Sequence, residues 1–128
     1  MGKVAFVFSG QGAQYSGMGK SLYEHSAAAK NVFDTAESIR PGTKNQCFSG
    51  TLEEISITKN TQPCLFCVDL AAAEALREAG ITPDMTAGFS LGEVAAVTFA
   101  GIFTTEEGFS LVTKPVSYTH LRAHETRR

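Results

Sequence analysis

Gly88-Phe89-Ser90-Leu91-Gly92-Glu93 constrains this 128-residue chain more tightly than any other stretch, because it sets a serine midway between two glycines. That spacing fits a nucleophile elbow, a sharp turn from a strand into a helix that presents the serine hydroxyl. Gly88 and Gly92 are needed there because a Cβ at either place would collide with neighbouring backbone. The flanks agree: Met85-Thr86-Ala87 can end a short strand, and Val94-Ala95-Ala96-Val97-Thr98-Phe99-Ala100 reads as a buried helix closed by Gly101. Ser90 then lies at a helix N-terminus, where free N–H groups and the helix dipole favour developing negative charge. The same letters admit a plainer reading. Ser90 and Glu93 also have the spacing of a capping box, in which the serine would be an ordinary helix cap.

The N-terminus adds a second signal. Val4-Ala5-Phe6-Val7-Phe8 is a continuous apolar run, as expected of a buried parallel strand. It leads directly into Ser9-Gly10-Gln11-Gly12-Ala13-Gln14, where two glycines let the backbone turn tightly and leave Gln11 able to face a neighbouring site. On these residues, together with Asn60-Thr61-Gln62-Pro63 and the Gly88–Glu93 motif in that order, the chain resembles the malonyl-CoA:acyl-carrier-protein transacylases and related polyketide-synthase acyltransferase domains. The resemblance covers residues 1–114, read as the N-terminal part of the large acyltransferase subdomain.

The resemblance implies a mechanism. Ser90 would attack the thioester of malonyl-CoA and hold the malonyl group as an ester. The backbone N–H of Leu91, with a second donor from Gln11, would stabilise the tetrahedral oxyanion, and Gln62 would lie near the same pocket. Read without the family, Gln62 is a polar residue leading into a helix that Pro63 starts. The acyl group would pass to the phosphopantetheine thiol of acyl carrier protein, with no metal or redox cofactor. Phe89 stands where many relatives carry histidine. The implied fold is α/β: a partial α/β-hydrolase-like layered core with parallel strands and a nucleophile elbow, without the ferredoxin-like insert. A serine hydrolase or thioesterase would share the elbow but deliver the acyl group to water; Gly10-Gln11-Gly12 and Gln62 belong to the acyltransferase pattern instead.

The family also uses a histidine base far downstream and an arginine that pairs with the malonyl carboxylate. Here Leu111-Val112-Thr113-Lys114 is followed by Pro115, where relatives place the arginine. Residues 115–128 bear no likeness to an acyltransferase and resemble translated read-through of a sequencing adaptor, so they are set apart as a non-native tail. That removes His120 and His124, whose four-residue spacing would otherwise suggest a metal pair or a base. His25, in a polar helical stretch, reads as a surface residue. The chain is therefore expected to be an N-terminal piece, inactive by itself for want of base and arginine. Met1 directly ahead of the first strand points to a stand-alone parent rather than an assembly line.

Composition is compatible with a cytoplasmic globular domain: 43% hydrophobic and 19% charged residues, with a formal charge of −2. Without residues 115–128, which carry three arginines and one glutamate, eight basic residues face twelve acidic ones. A mildly acidic body predicts no nucleic-acid or membrane partner, and no signal segment or bilayer-spanning run is present. Cys64-Leu65-Phe66-Cys67 has redox-pair spacing, but Cys64, Cys67, Ala71 and Ala75 share one apolar helix face, which favours core thiols; Cys47 stands alone. Gln14–Ser21 matches a phosphate-binding loop except for its first glycine, making a nucleotide binder the weaker alternative. The remaining residues read as scaffold: helices over Lys20–His25 and Ala27–Ser38, a polar connection through Arg40–Thr43, and capping boxes at Thr51–Glu54 and Thr104–Glu107. Gly80 ends the long helix, and the small sheet is expected to leave an edge exposed.

Overall fold

A computed structural model describes residues 2–113. Strand β1 (Ala5–Phe8) is followed by helices α1 (Lys20–His25), α2 (Ala27–Ile39), α3 (Thr43–Ser49), α4 (Leu52–Ile55) and α5 (Thr58–Glu78), then strand β2 (Met85–Gly88) and helices α6 (Gly92–Phe99) and α7 (Thr105–Val112). The two strands pair in parallel, Ala5 opposite Met85 through Phe8 opposite Gly88. The five helices between them form the crossover that parallel pairing demands. This is the expected α/β layering, with the described sheet limited to two strands. The read-through assigned to residues 115–128 lies outside the described residues.

Helix α5 is the axis of the core. Its Leu65, Phe66, Cys67, Leu70 and Ala71 are all buried, and it packs against α2, α6 and α7. Phe33 of α2 and Phe109 of α7 are fully buried, and the Phe66 and Phe109 rings sit 6.0 Å apart. Arg77, near the C-terminal end of α5, lies 4.0 Å over the Phe99 ring and donates to the Phe99 carbonyl at 3.1 Å, tying α6 to α5.

Three expectations are corrected. First, β1 is not buried on both faces: Phe6 and Phe8 turn inward, whereas Val7 is 76% exposed. An apolar run shows that both faces suit an apolar cover, but among the described residues only one has it. Second, α5 begins at Thr58, so Pro63 lies inside the helix rather than starting it. Side chains anchor the turn ahead of the proline: Asn60 Nδ2 donates to the Glu54 carbonyl at 2.9 Å, Arg40 donates to Asn60 Oδ1 at 3.0 Å, and the Thr61 hydroxyl bonds to the carbonyls of Ile55 and Ile57. These bonds hold the first turn of α5 ahead of the proline, which has no amide of its own to donate. Third, the polar connection after Arg40 gives way at once to α3, whose Thr43 and Cys47 are buried.

The predicted caps divide. Thr104 and Glu107 form the full reciprocal box, at 3.1 and 2.9 Å. Thr51 accepts from the Glu54 N–H at 3.1 Å, but the Glu54 carboxylate takes Gln46 Nε2 at 3.2 Å instead of returning to the cap. Thr104→Ala is therefore expected to lower stability by about 1 kcal/mol, read as a fall of several degrees in Tm. Gly80 and Gly101 follow the ends of α5 and α6 with left-handed φ of 93° and 92°, as their helix-closing roles require.

Candidate active site

Because Phe8 pairs with Gly88, both strands end side by side and both loops leave the carboxyl edge of the sheet together. The Phe89 N–H donates to the Phe8 carbonyl at 3.0 Å, extending the pairing into the turn. That edge is where parallel sheets present their ligand sites. The sequence segments around Gln11 and Ser90, nearly eighty positions apart, thus become neighbours through strand register.

Ser90 has φ 59°, the sole positive φ at a non-glycine among the described residues. A left-handed backbone costs an L-residue roughly 1–2 kcal/mol and persists only where its surroundings over-determine it. They do so here through close backbone packing. An ideal Cβ on Gly92 would lie 2.7 Å from the Phe8 carbonyl carbon and 2.9 Å from the Ser9 carbonyl oxygen. One on Gly88 would overlap the Gly92 carbonyl, well inside the 3.0 Å that real Cβ atoms respect. Gly10 is equally tight: its Cβ would come 3.1 Å from Ser90 Cβ and nearer still to the Phe89 carbonyl oxygen. The Gly10–Gly12 loop is therefore packed directly on the elbow.

The capping-box reading of Ser90 departs from this geometry. Helix α6 starts at Gly92 with Leu91 at its cap position and no side-chain cap bond; the Glu93 N–H goes instead to the Ser90 carbonyl at 3.0 Å. Ser90 is half-buried on the elbow and Phe89 beside it is 78% exposed. Neither the Leu91 nor the Gln11 backbone N–H has a hydrogen-bond acceptor among the described residues. The Gln11 side chain donates to Thr58 Oγ1 at 3.3 Å, while the Gly12 N–H is held by Gln14 Oε1 at 2.8 Å. Gln62 is half-buried on α5, four residues beyond Thr58 and so on the same helix face.

Of the histidines, only His25 is described; it is exposed on α1, with Nδ1 2.9 Å from the Ser21 carbonyl. His120, His124 and the position after Lys114 lie outside the described residues. The loop resembling a phosphate-binding motif has its amides committed: Gly17 N–H to Cys47 at 3.1 Å, Met18 N–H to Tyr15 at 3.2 Å and Lys20 N–H to Gly17 at 3.3 Å. A phosphate nest needs those donors free. Cys47, Cys64 and Cys67 are free thiols, all buried, and burial pushes the Cys67 thiol well up, away from a reactive thiolate. Among the described residues no group of three acidic, histidine or cysteine side chains is placed to hold a metal, and no helix is long and apolar enough to cross a membrane.

One residue escaped sequence reasoning. Asp69 of α5 accepts a hydrogen bond from the Ser9 hydroxyl at 2.8 Å, and its second oxygen is buried without a partner among the described residues. Burial pushes its carboxyl up to about 7, against the opposing pull of the Ser9 bond. An open groove of about 230 Å³ runs beside it between β1 and α5, with exposed Val7 and Leu76 in its lining. The available signal was a lone carboxylate within Cys64–Ala73, a stretch otherwise free of charge.

The family model described as "Acyl transferase domain" matches residues 5–120, spanning both loops and the elbow. The chain belongs to this acyl transferase family. It is 45% identical over 115 residues to the malonyl CoA-acyl carrier protein transacylase of Bacillus subtilis strain 168, covering 89% of this chain and 36% of that protein. The crystal structure of the malonyl-CoA:ACP transacylase of Synechocystis sp. PCC 6803 superposes with a TM-score of 0.82 at 41% identity, over 88% of this chain and 38% of that one. A malonyl-transacylase solved with its type II polyketide-synthase acyl-carrier protein gives 0.80 at 31% identity, over 88% and 37%. The chain thus spans little more than a third of the length of these relatives.

Proposed function

We propose that this chain carries the nucleophile half of an acyl-transfer site that moves a malonyl group from malonyl-CoA to the phosphopantetheine thiol of acyl carrier protein, in the cytoplasm and without a metal or redox cofactor. The observation that carries the reading is the left-handed Ser90 locked between Gly88 and Gly92 and packed on the Gly10 loop. The Ser90 hydroxyl oxygen attacks the thioester carbon and a base takes its proton. The oxyanion is met by the Leu91 and Gln11 N–H groups, and the CoA thiol leaves with the proton. The carrier thiol then attacks the ester, releasing malonyl-carrier and restoring Ser90. The names of the relatives support malonyl as the acyl group and acyl carrier protein as acceptor. The base and the arginine for the malonyl carboxylate come from outside the described residues. The same ester released by water would make a hydrolase, and formation of free malonate in place of malonyl-carrier distinguishes it.

A fluorophosphonate, which reacts with elbow serines, tests the nucleophile. Without a base the reaction is slow, so on long incubation label accumulating at Ser90 ahead of every other serine, and lost in Ser90→Ala, is the expected result; label showing no preference for Ser90, or undiminished in the variant, overturns the assignment. With malonyl-CoA and loaded carrier the chain alone is expected to turn over orders of magnitude more slowly than a base-equipped enzyme, because a positioned base contributes about 10²–10⁴-fold. Malonyl-carrier formed at a full enzyme's rate would refute that.

A further inference from the structure

We propose that Asp69 is a positioning residue for the Ser9–Gly12 loop, holding it against the nucleophile elbow through the Ser9 hydroxyl. Three contacts make a continuous path. The Asp69 carboxylate on α5 accepts from Ser9 at 2.8 Å. The Ser9 carbonyl lies where a Cβ on Gly92 would come within 2.9 Å, so Ser9 is wedged against the start of α6. Gly10, next along the chain, packs on the Phe89 carbonyl and on Ser90 Cβ. Loop and elbow therefore share one backbone interface, and Asp69 is the side chain that grips it from the helix behind. A shift of the loop moves the Gln11 N–H relative to the Leu91 N–H, the pair assigned to the oxyanion.

The grip depends on protonation. Only burial and the Ser9 bond act on the Asp69 carboxyl. Its neighbours along the adjacent groove, the β1 residues Ala5–Phe8 with Ala72, Ala73 and Leu76 of α5, are all uncharged. A carboxylate accepts the Ser9 hydroxyl as a charge-assisted bond, whereas the protonated acid accepts more weakly and gains a competing donor. The loop is thus gripped more tightly above about pH 7 than below it.

Amide and carboxyl NMR on the full 128-residue chain tests this between pH 5.5 and 8.5. In the unsubstituted protein the Gln11, Gly12 and Leu91 amides should titrate together with the Asp69 carboxyl carbon, near pH 7. Asp69→Asn, which keeps the shape and an acceptor oxygen, should abolish that titration. Ser9→Ala should leave the Asp69 carbon titrating, at higher pH, while the loop amides cease to follow it. Loop amides flat across the range, or a loop titration that survives either substitution, would overturn the proposal. The inference rests on reading Ser90 as nucleophile, but this readout needs no chemistry at Ser90. A failure here therefore leaves the fluorophosphonate result standing, and the reverse.

Discussion

Alanine at position 92 should destabilise the chain by about 3 kcal/mol or more, at the upper end of what overpacking costs, and prevent labelling of Ser90. Gly92 has no positive φ, so the effect is steric. The added methyl would lie 2.7 Å from the Phe8 carbonyl carbon and 2.9 Å from the Ser9 oxygen. These are backbone atoms at the end of β1, the first of them pinned by strand pairing, not the mobile end of a side chain. Relief requires α6 to lift from the end of β1, which separates the elbow from the Gln11 loop. Gly12→Ala is the matched control: φ is +113°, but nothing lies within 4 Å of the new methyl. It should cost only the backbone strain, roughly 1–2 kcal/mol. Urea unfolding of both variants decides the matter; equal losses would mean that the backbone around position 92 gives way to the added methyl. Since whole domains are stable by roughly 5–15 kcal/mol, the Gly92 variant is expected to be partly unfolded at 37 °C.

The second large effect is a pH dependence reversed from the usual carboxylate pattern. Burial raises Asp69 from 3.8 to about 7, so the folded chain keeps a proton that the unfolded chain has already released. A raised carboxyl pKa gives stability that is full below the unfolded value and lost as pH climbs through the folded one. The window runs from about pH 4 to about pH 7, and a shift of this size corresponds to about 3 kcal/mol after allowing for partial solvent access. Asp34 and Glu37 act in the opposite sense. Hydrogen bonds from Lys44 and Tyr23 hold Asp34 below its ordinary value against its own desolvation, and the Gly42 and Lys44 amides do the same for Glu37. The total curve therefore mixes both signs, and the clean measurement is a difference. Asp69→Asn minus the unsubstituted chain should move in favour of asparagine by about 3 kcal/mol in all as pH climbs from about 4 to about 7, with about a third of the change complete by pH 5. A difference independent of pH would show that Asp69 does not titrate in this window. Above neutral pH the chain carries a buried ionised group at a cost to stability, as expected where a residue serves positioning.

Much of the site was legible because its requirements are local. A serine forced to φ 59° needs glycines beside it, and that need is written into adjacent letters. Helix ends were legible for the same reason at Thr104, Gly80 and Gly101. Features that depend on a distant partner were not. The apolar letters of β1 could not tell which face is covered, and Val7 stands open. Pro63 looked like a helix start until Arg40, Glu54 and Ile55, all remote from it along the chain, were seen to hold the preceding turn. Asp69 passed as one polar residue on a helix because its meaning comes from Ser9, sixty positions away.

By itself, then, the amino-acid sequence determined the elbow, the serine at its apex and the glycine loop, since each is encoded in residues within a few positions of one another. Only the tertiary structure decided that the two loops meet. Parallel register of Phe8 with Gly88 brings them to one edge, α5 supplies Asp69 behind them, and close backbone contact leaves no room for a side chain at Gly10 or Gly92. Strand register and helix packing join residues far apart in the chain, and no local pattern of letters carries that information.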